Sequence, residues 1–116
     1  MPLVNNYYFM KNCLVTHGFF TRTKGYSKKE YKSLNCSVSN GDNKKLVYKN
    51  KLKALKNLKL QNKKLILINQ VHSSKVVQIK KSNINKIIYA DGMFTSLNDI
   101  VLGVLTADCA PIFIYD

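Results

Sequence analysis

The 116 residues are enough for one modest domain, and 46% of them are hydrophobic, which is ordinary for a globular core. No run of 18 apolar residues is present, which excludes a transmembrane helix, and residues 1–12 lack the basic-then-apolar pattern of a secretory signal. The net charge of +13 would attract phosphate. The lysines are scattered, however, and no RNA-binding aromatic motif or zinc-finger spacing accompanies them. Neither nucleic acid nor a membrane is therefore an expected partner.

The cysteines and the single arginine bear on cellular compartment and anion binding. Cys13, Cys36 and Cys109 form no Cys-x-x-Cys pair and are odd in number, which predicts reduced thiols in a cytoplasmic protein. Arg22 is the one arginine among 19 basic residues. Its planar guanidinium offers the paired donors that grip a phosphate and that lysine lacks, although a single arginine is also compatible with chance.

In chain order, the first half predicts one strand, an irregular region and one helix. Residues 13–20 are apolar with β-branched and aromatic members, which predicts a strand, and a polar loop follows over residues 21–27. Asp42 is expected to cap a helix over residues 44–58. That helix is expected to bury a stripe of side chains spaced by three or four residues, namely Tyr48, Leu52, Leu55 and Leu58.

The next segment predicts short strands separated by turns. Strands are expected at residues 65–68, 76–79 and 93–95. His72 falls in the turn between the first two of these strands. A further turn is expected at Asp91–Gly92, because this dipeptide is typical of tight turns.

The C-terminal segment predicts two buried strands joined by a polar turn. The apolar runs at residues 100–105 and 112–115 are too continuous for a half-exposed sheet. Between them, residues 106–111 form a turn that carries Asp108 and Cys109. Together with the helix, these strands predict an α/β or α+β domain.

His72 and Cys109 are two candidate metal ligands, each in a turn beside a buried strand. Zinc binds imidazole nitrogen and thiolate sulfur, and a catalytic zinc needs three protein ligands. His17 is a candidate for the third, but its place within an apolar run suits packing equally. A histidine at a turn is commonly a surface residue and a cysteine between core strands is commonly inert, so spacing alone leaves both interpretations open.

Three segments together resemble the hallmark motifs of the laccase-domain family. They are Gln70-Val71-His72, Ala90-Asp91-Gly92 with Thr95, and Thr106-Ala107-Asp108-Cys109-Ala110-Pro111. Upstream, the HGFFTR segment that begins at His17 and the Ser33-Leu34-Asn35 segment occur in the family's order. Members are often labelled polyphenol oxidase or multicopper laccase and are regarded as zinc-dependent purine nucleoside phosphorylases with adenosine deaminase activity.

The resemblance implies a fold, two substrates and roles for individual residues. The implied fold is a mixed-sheet α/β sandwich flanked by helices, and the implied substrates are a purine nucleoside and phosphate. His72 and Cys109 match two zinc ligands, and Arg22 and Asn35 match polar positions near the pocket for phosphate and nucleoside. Asp108 would orient a ligand or take a proton, unless it only caps its turn. Zinc would lower the pKa of a bound water for deamination at the purine C6.

Two departures from the family pattern shape these expectations. The family has a pair of glycines after its arginine, whereas Thr23-Lys24-Gly25 keeps one. The third zinc ligand is expected beyond residue 116, in a His-Ala-Gly-Trp-Arg-Gly segment that this sequence lacks. Residues 1–116 are therefore expected to be the N-terminal part of a single domain, incomplete at the C-terminus, inactive alone and completed by a missing C-terminal half.

The alternative hypothesis is a catalytically inactive remnant, or a basic binding module that holds nucleic acid through its lysines. A downstream segment that carries the third ligand would favour the enzyme over the remnant. Copper oxidase chemistry is least favoured, because multicopper centres need many more than the two histidines of this chain.

Overall fold

A computed structural model describes residues 15–107 and 109–115, together with the backbone of residues 3–4. It contains two compact units, one made of Met1–Gln61 with Ile112–Asp116 and the other of Asn62–Pro111. Cys13 and Asp108 lie outside the described residues. Among the helices in the described part of the chain, none is long and apolar enough to cross a membrane.

The first unit begins with a short antiparallel pair, β1 (Leu3–Val4) and β2 (Phe19–Phe20). The strand predicted over residues 13–20 is wrong over residues 15–18, which lie outside any strand, while residues 13–14 lie outside the described residues. Gly18 directly precedes β2, and glycine is a weak strand former. A 3₁₀ turn, Lys29–Tyr31, follows the loop predicted over residues 21–27.

The helix α1 (Lys44–Asn57) confirms the predicted helix, but its N-cap is Asn43 and not Asp42. The backbone N–H groups of Lys45 and Leu46 donate to Asn43 Oδ1 at 2.9 and 3.4 Å. Asp42 instead accepts from the Asn43 N–H at 2.7 Å. Both residue types suit a cap, and the extended backbone of Asn43 directly before the first helical residue decides between them.

The buried face of α1 differs from the predicted stripe. Its buried side chains are Val47, Asn50 and Leu55, whereas Tyr48 is 67% exposed. Leu55 is the one predicted stripe residue among the buried side chains. The buried face includes Asn50 because its amide hydrogen-bonds to the preceding loop. The prediction was based on the spacing of apolar residues, and such a pattern does not mark an asparagine as buried.

The second unit contains two parallel strand pairs. β3 (Lys64–Leu67) pairs with β6 (Ile100–Gly103), and β4 (Val76–Gln78) pairs with β5 (Gly92–Phe94). A parallel bridge between Asn69 and Tyr89 extends the arrangement. The predicted strands at residues 65–68, 76–79 and 93–95, and most of that at residues 100–105, are thereby confirmed.

The core of the second unit is aliphatic. It is formed by the buried side chains of Ile66, Ile79, Ile88 and Ala90, with partly buried Leu102 and Met93 among those packed against it. The turn predicted at Asp91–Gly92 is wrong at its second residue, because Gly92 is the first residue of β5. Its pairing with Val76 draws it into the sheet, and that long-range contact outweighs the local turn preference.

The C-terminal run predicted as a buried strand is not a strand in the structure. Ile112 and Ile114 are 77% and 91% exposed. Phe113, which lies between them, stacks on Phe19 with ring centroids 4.6 Å apart. A buried strand needs a hydrogen-bonded neighbour, and no described residue pairs with this run, so the prediction is wrong despite the apolar composition.

Candidate functional site

His72 lies in the turn between β3 and β4, where the sequence placed it. The turn is anchored at its start by Asn69, whose N–H donates to Ile88 O at 2.8 Å and whose carbonyl accepts from Ala90 N–H at 3.0 Å. His72 itself has a φ of 57°, in the left-handed region that few residues other than glycine adopt readily. Its side chain is exposed.

The carboxylate of Asp91 holds the His72 turn. One carboxylate oxygen, Oδ1, accepts from the backbone N–H groups of Val71 and His72 at 3.1 and 2.9 Å. The other, Oδ2, accepts from the N–H and the hydroxyl of Ser73, both at 2.8 Å. The backbone hydrogen bond from Ser73, supported by the others, holds the pKa of Asp91 below its usual range.

Cys109 is an exposed free thiol in the segment after β6. Cys36 is the other free thiol that the described residues contain, and it is half-buried with its sulfur 3.7 Å from Leu34 O. Burial raises the pKa of the Cys36 thiol, and nearby Lys51 lowers it to a smaller extent. Cys36 is therefore poorly suited to act as a thiolate near neutral pH, so Cys109 is the more accessible sulfur donor of the two described cysteines.

The topology of the second unit relates His72 to Cys109. β3 and β6 are parallel neighbours, and Leu67 at the end of β3 lies opposite Gly103 at the end of β6. The His72 turn follows β3, and the Cys109 segment follows β6. The carboxyl ends of adjacent parallel strands meet at one edge of a sheet, where ligands of open α/β folds commonly bind. Both predicted metal ligands therefore follow the same sheet edge.

The donor types at this edge suit zinc, but the described residues do not complete a zinc site. Imidazole nitrogen and thiolate sulfur are both common zinc ligands. Within residues 15–107 and 109–115, no three histidine, cysteine or acidic side chains are grouped so that they could hold a metal ion. The described residues therefore do not form a three-ligand site by themselves, and zinc binding by His72 and Cys109 stays a prediction.

His17, the other histidine of the chain, belongs to the first unit. Its Nδ1 lies 3.0 Å from Val15 O, and its ring packs edge-on against Phe113 with centroids 6.1 Å apart. These contacts agree with the packing interpretation of His17 that the sequence left open. Among the described residues, His17 is not part of any group of three or more side chains that could hold a metal ion.

Arg22 is fixed through its backbone and exposed at its side chain. Its carbonyl accepts three hydrogen bonds, from Ser33 N–H at 3.0 Å, Ser33 Oγ–H at 2.9 Å and Leu34 N–H at 2.7 Å. Ser33 Oγ in turn accepts from Gly25 N–H at 2.9 Å. The main chain that carries Arg22 is thus held in place while its guanidinium remains accessible to an anion.

The single glycine after Arg22 has a steric reason. A Cβ atom on Gly25 would lie 2.1 Å from Ser33 O and 2.4 Å from Leu34 Cα, both backbone atoms that cannot rotate away. Lys24, directly before Gly25, has a φ of 61°. This left-handed conformation is the one that glycine adopts most easily, so the lysine adopts it at a steric cost.

The Asn35 amide is engaged within its own loop. Its Oδ1 accepts from Ser37 N–H at 3.1 Å and from Asn40 Nδ2 at 3.0 Å. Its Nδ2 donates to Asp42 Oδ2 at 3.0 Å. The structure thus gives Asn35 a role in closing the loop, and its predicted contact with phosphate or nucleoside stays a prediction.

A buried polar network joins this loop to α1. Asn50 is fully buried, accepts from Tyr26 N–H at 2.7 Å, and donates to Ser27 Oγ at 2.9 Å and Asn35 O at 2.7 Å. Ser27 Oγ–H donates to Asp42 Oδ2. Sequence reasoning missed this network. The one local signal was an asparagine, a poor helix former, in the middle of a helix.

Comparison of the sequence with known proteins identifies a family and several relatives. The family model described as multi-copper polyphenol oxidoreductase laccase matches residues 16–116. The chain is similar to a purine nucleoside phosphorylase of Haemophilus influenzae, with 35% identity over 97 residues that cover 83% of this chain and 38% of the relative. It is also similar to purine nucleoside phosphorylase SCO2081 of Streptomyces coelicolor, with 31% identity over 100 residues that cover 85% and 41%.

A solved structure shares the fold. The crystal structure of YlmD from Geobacillus stearothermophilus matches with a TM-score of 0.71 at 25% identity, over 79% of this chain and 37% of that one. This likeness confirms the expected α/β fold of the laccase-domain type. The chain spans about two fifths of the length of the curated relatives described above.

Proposed function

Because this chain belongs to the multi-copper polyphenol oxidoreductase laccase family, we propose that it supplies part of an active site for phosphorolysis of purine nucleosides. In this reaction phosphate attacks the ribose C1′ and the purine base leaves. The proposal is supported by two relatives that carry the name purine nucleoside phosphorylase. The observation that carries it is the placement of His72 and Cys109 after the ends of two paired parallel strands.

The proposed cofactor is one zinc ion held by His72 and Cys109. The third protein ligand is proposed to come from outside residues 1–116. When bound, zinc supplies a Lewis acid at the sheet edge, which suits deamination of adenosine at C6 as a second activity. Asp108, beside Cys109 in the sequence, is proposed to orient that ligand or to accept a proton.

Arg22 is proposed to bind the phosphate. Its guanidinium is exposed, and the three hydrogen bonds to its carbonyl hold its backbone in one place. With the backbone already fixed, binding of an anion has to order only the side chain and not the loop as well. Asn35 is proposed to contribute to binding of phosphate or nucleoside by closing its loop and by contacting the substrate with its amide.

A cytoplasmic location is proposed, since Cys36 and Cys109 are free thiols. A second candidate function, binding of nucleic acid by a catalytically inactive remnant, is favoured by one feature of α1. The ammonium groups of Lys49 and Lys53 lie 5.8 and 5.0 Å from the centre of the exposed Tyr26 ring. An aromatic ring among lysines is the kind of surface on which bases stack.

The decisive experiment compares the chain alone with a completed chain. The 116 residues are fused to the part of the Haemophilus influenzae relative that the match does not cover, and both proteins are assayed with inosine, guanosine and adenosine in the presence of phosphate and zinc. We expect turnover by the fusion only, with zinc bound at about one ion per chain. Cys109→Ala and His72→Ala should abolish both turnover and zinc binding.

Cys36→Ala is the matched control, because Cys36 is the other described thiol and is not a proposed ligand. It should retain zinc and activity. A fusion that is folded, binds zinc and yet turns over no purine nucleoside would contradict the proposed function. Binding of single-stranded nucleic acid by the 116-residue chain, lost in Tyr26→Ala, would favour the second candidate.

A further inference from the structure

Asp91 is the residue that ties the His72 turn to the sheet. Three consecutive backbone N–H groups, those of Val71, His72 and Ser73, converge on its two carboxylate oxygens, and the Ser73 hydroxyl adds a fourth hydrogen bond. Consecutive N–H groups point to one side only when the backbone curls around an acceptor, as in an anion-binding nest. Here the anion is a side chain of the protein itself, 19 residues further along the chain than His72.

The curl requires an unusual backbone conformation at His72. Its φ of 57° lies in the left-handed region, which a histidine adopts at a steric cost. The His72 N–H to Asp91 Oδ1 hydrogen bond, at 2.9 Å, forms in this conformation. The carboxylate thus compensates for the strain at the residue that carries the proposed ligand.

Asp91 is itself firmly held. Its N–H and that of Gly92 both donate to Lys75 O, at 3.0 and 3.1 Å. The preceding residue, Ala90, is fully buried in the aliphatic core, and the next residue begins β5. Asp91 therefore lies directly between a fully buried residue and the first residue of β5, whereas the turn that it holds has no buried side chain from Gln70 to Lys75.

We propose that Asp91 is the positioning residue for His72, and that its carboxylate fixes the backbone of residues 71–73 so that the imidazole is presented in one orientation. The functional meaning of that orientation rests on the proposed function, in which His72 is a zinc ligand. The effect of Asp91 on the backbone of residues 71–73 is independent of the proposed function, because it occurs in this chain without metal or substrate.

The test measures the turn directly in the 116-residue chain by NMR. In Asp91→Ala, amide hydrogen exchange at Val71, His72 and Ser73 should accelerate at least about tenfold, while exchange in β3 should not change. The ¹³C shifts of His72 should lose the signature of positive φ. Asp99→Ala, at an exposed aspartate of the same unit, is the matched control and should alter neither measurement.

Asp91→Asn provides rescue by a conservative variant. An asparagine keeps one acceptor oxygen, so we expect it to protect part of the turn and to give exchange rates between those of the wild type and Asp91→Ala. If Asp91→Ala does not fold, the exchange rates of Asp91→Asn at residues 71–73 test the proposal instead. A purely stabilising role would accelerate exchange in the turn and in β3 together, and that result would overturn the proposal.

Exchange rates at residues 71–73 that stay within about twofold of the wild type in both variants would equally overturn it. Neither a nucleoside, phosphate nor zinc is present in this experiment. Failure of the proposed phosphorolysis would therefore leave its result unchanged, and failure of the positioning role would not bear on the assay of the fusion protein.

Discussion

The two units of this chain are stabilised by different kinds of core. In the second unit the buried side chains are aliphatic, namely Ile66, Ile79, Ile88 and Ala90. In the first unit the fully buried Asn50 and the buried Ser27 join a loop to α1 through hydrogen bonds, beside the apolar side chains of Leu34, Val47 and Leu55. An aliphatic core tolerates many apolar residues of similar volume, whereas a polar core requires particular donors and acceptors at particular positions.

The difference matters for function because the proposed site residues of the two units are held in place by different interactions. His72 and Cys109 follow strands that are packed on the aliphatic core. Arg22 lies in a loop that also carries Ser27, and Ser27 belongs with the Asn35 carbonyl to the polar network around Asn50. We therefore expect the placement of His72 and Cys109 to depend on apolar packing and that of Arg22 to depend on hydrogen bonding.

The largest expected effect is that of Ile79→Ala. Ile79 is 1% exposed at the centre of the aliphatic core, and its truncation leaves a cavity. The free energy of unfolding of the second unit should fall by about 3–4 kcal/mol, as measured by urea titration of the NMR signals of β3. Ile87→Ala, at a side chain that is 75% exposed, should cost less than about 0.5 kcal/mol. Similar losses in the two variants would show that this core is not tightly packed.

Asn50→Ala should have the next largest effect. It leaves the Tyr26 N–H and the Asn35 carbonyl without their partner in a buried place, which should cost about 2–3 kcal/mol of the stability of the first unit. Asn57→Ala is the control in the same helix, because Asn57 is exposed and its amide donates to Lys53 O within the helix. Urea unfolding followed at the Val47 amide gives the measurement, and an equal loss in both variants would contradict the polar core.

Acidification should loosen the first unit through Asp42. Hydrogen bonds from Ser27 and Asn35 hold the pKa of Asp42 below its usual range. A carboxylate with a lowered pKa in the folded state adds stability above its unfolded pKa of about 3.9, and that stability is lost as the pH falls through the folded pKa. Amide protection at Asn43 and Tyr26 should therefore decrease on going from pH 5 to below pH 3.

Asp42→Asn tests this pH dependence. The variant should be less protected than the wild type at pH 7 and should lose less protection on acidification, because its side chain does not titrate in this range. Asp99→Asn should retain the wild-type pH profile of the first unit. A wild-type pH profile in Asp42→Asn would show that another group is responsible.

The smallest expected effect is a gain in stability from Lys24→Gly. Lys24 has a φ of 61°, so glycine relieves a steric cost there, although it also adds entropy to the unfolded chain. The net gain should be about 0.5–1 kcal/mol by urea unfolding. Lys28→Gly is the matched control, since the φ of Lys28 is −123° and glycine can only add unfolded-state entropy there. A loss in both variants would mean that the left-handed conformation at Lys24 is not strained.

The sequence by itself determined the elements whose signals are local. Continuous apolar runs were enough to place β3, β4 and β6, and the lysine-rich periodic segment was enough to place α1, because strand and helix periodicity are properties of neighbouring residues. The motif resemblance identified His72 and Cys109 from local sequence as well, because each lies within a short run of characteristic residues. Their placement along one sheet edge then required only the parallel pairing of β3 with β6.

The tertiary structure alone decided which residues those elements bury and what holds the loops. Residues 112–115 have the composition of a buried strand, yet their burial depends on a neighbour that composition cannot specify. The inward face of α1 was set by Asn50 and its bonds to residues 23 and 24 positions away, and the turn at His72 was set by Asp91. A hydrogen bond between residues far apart in the chain leaves no periodic trace in the sequence, because it forms only after folding has brought its donor and acceptor together.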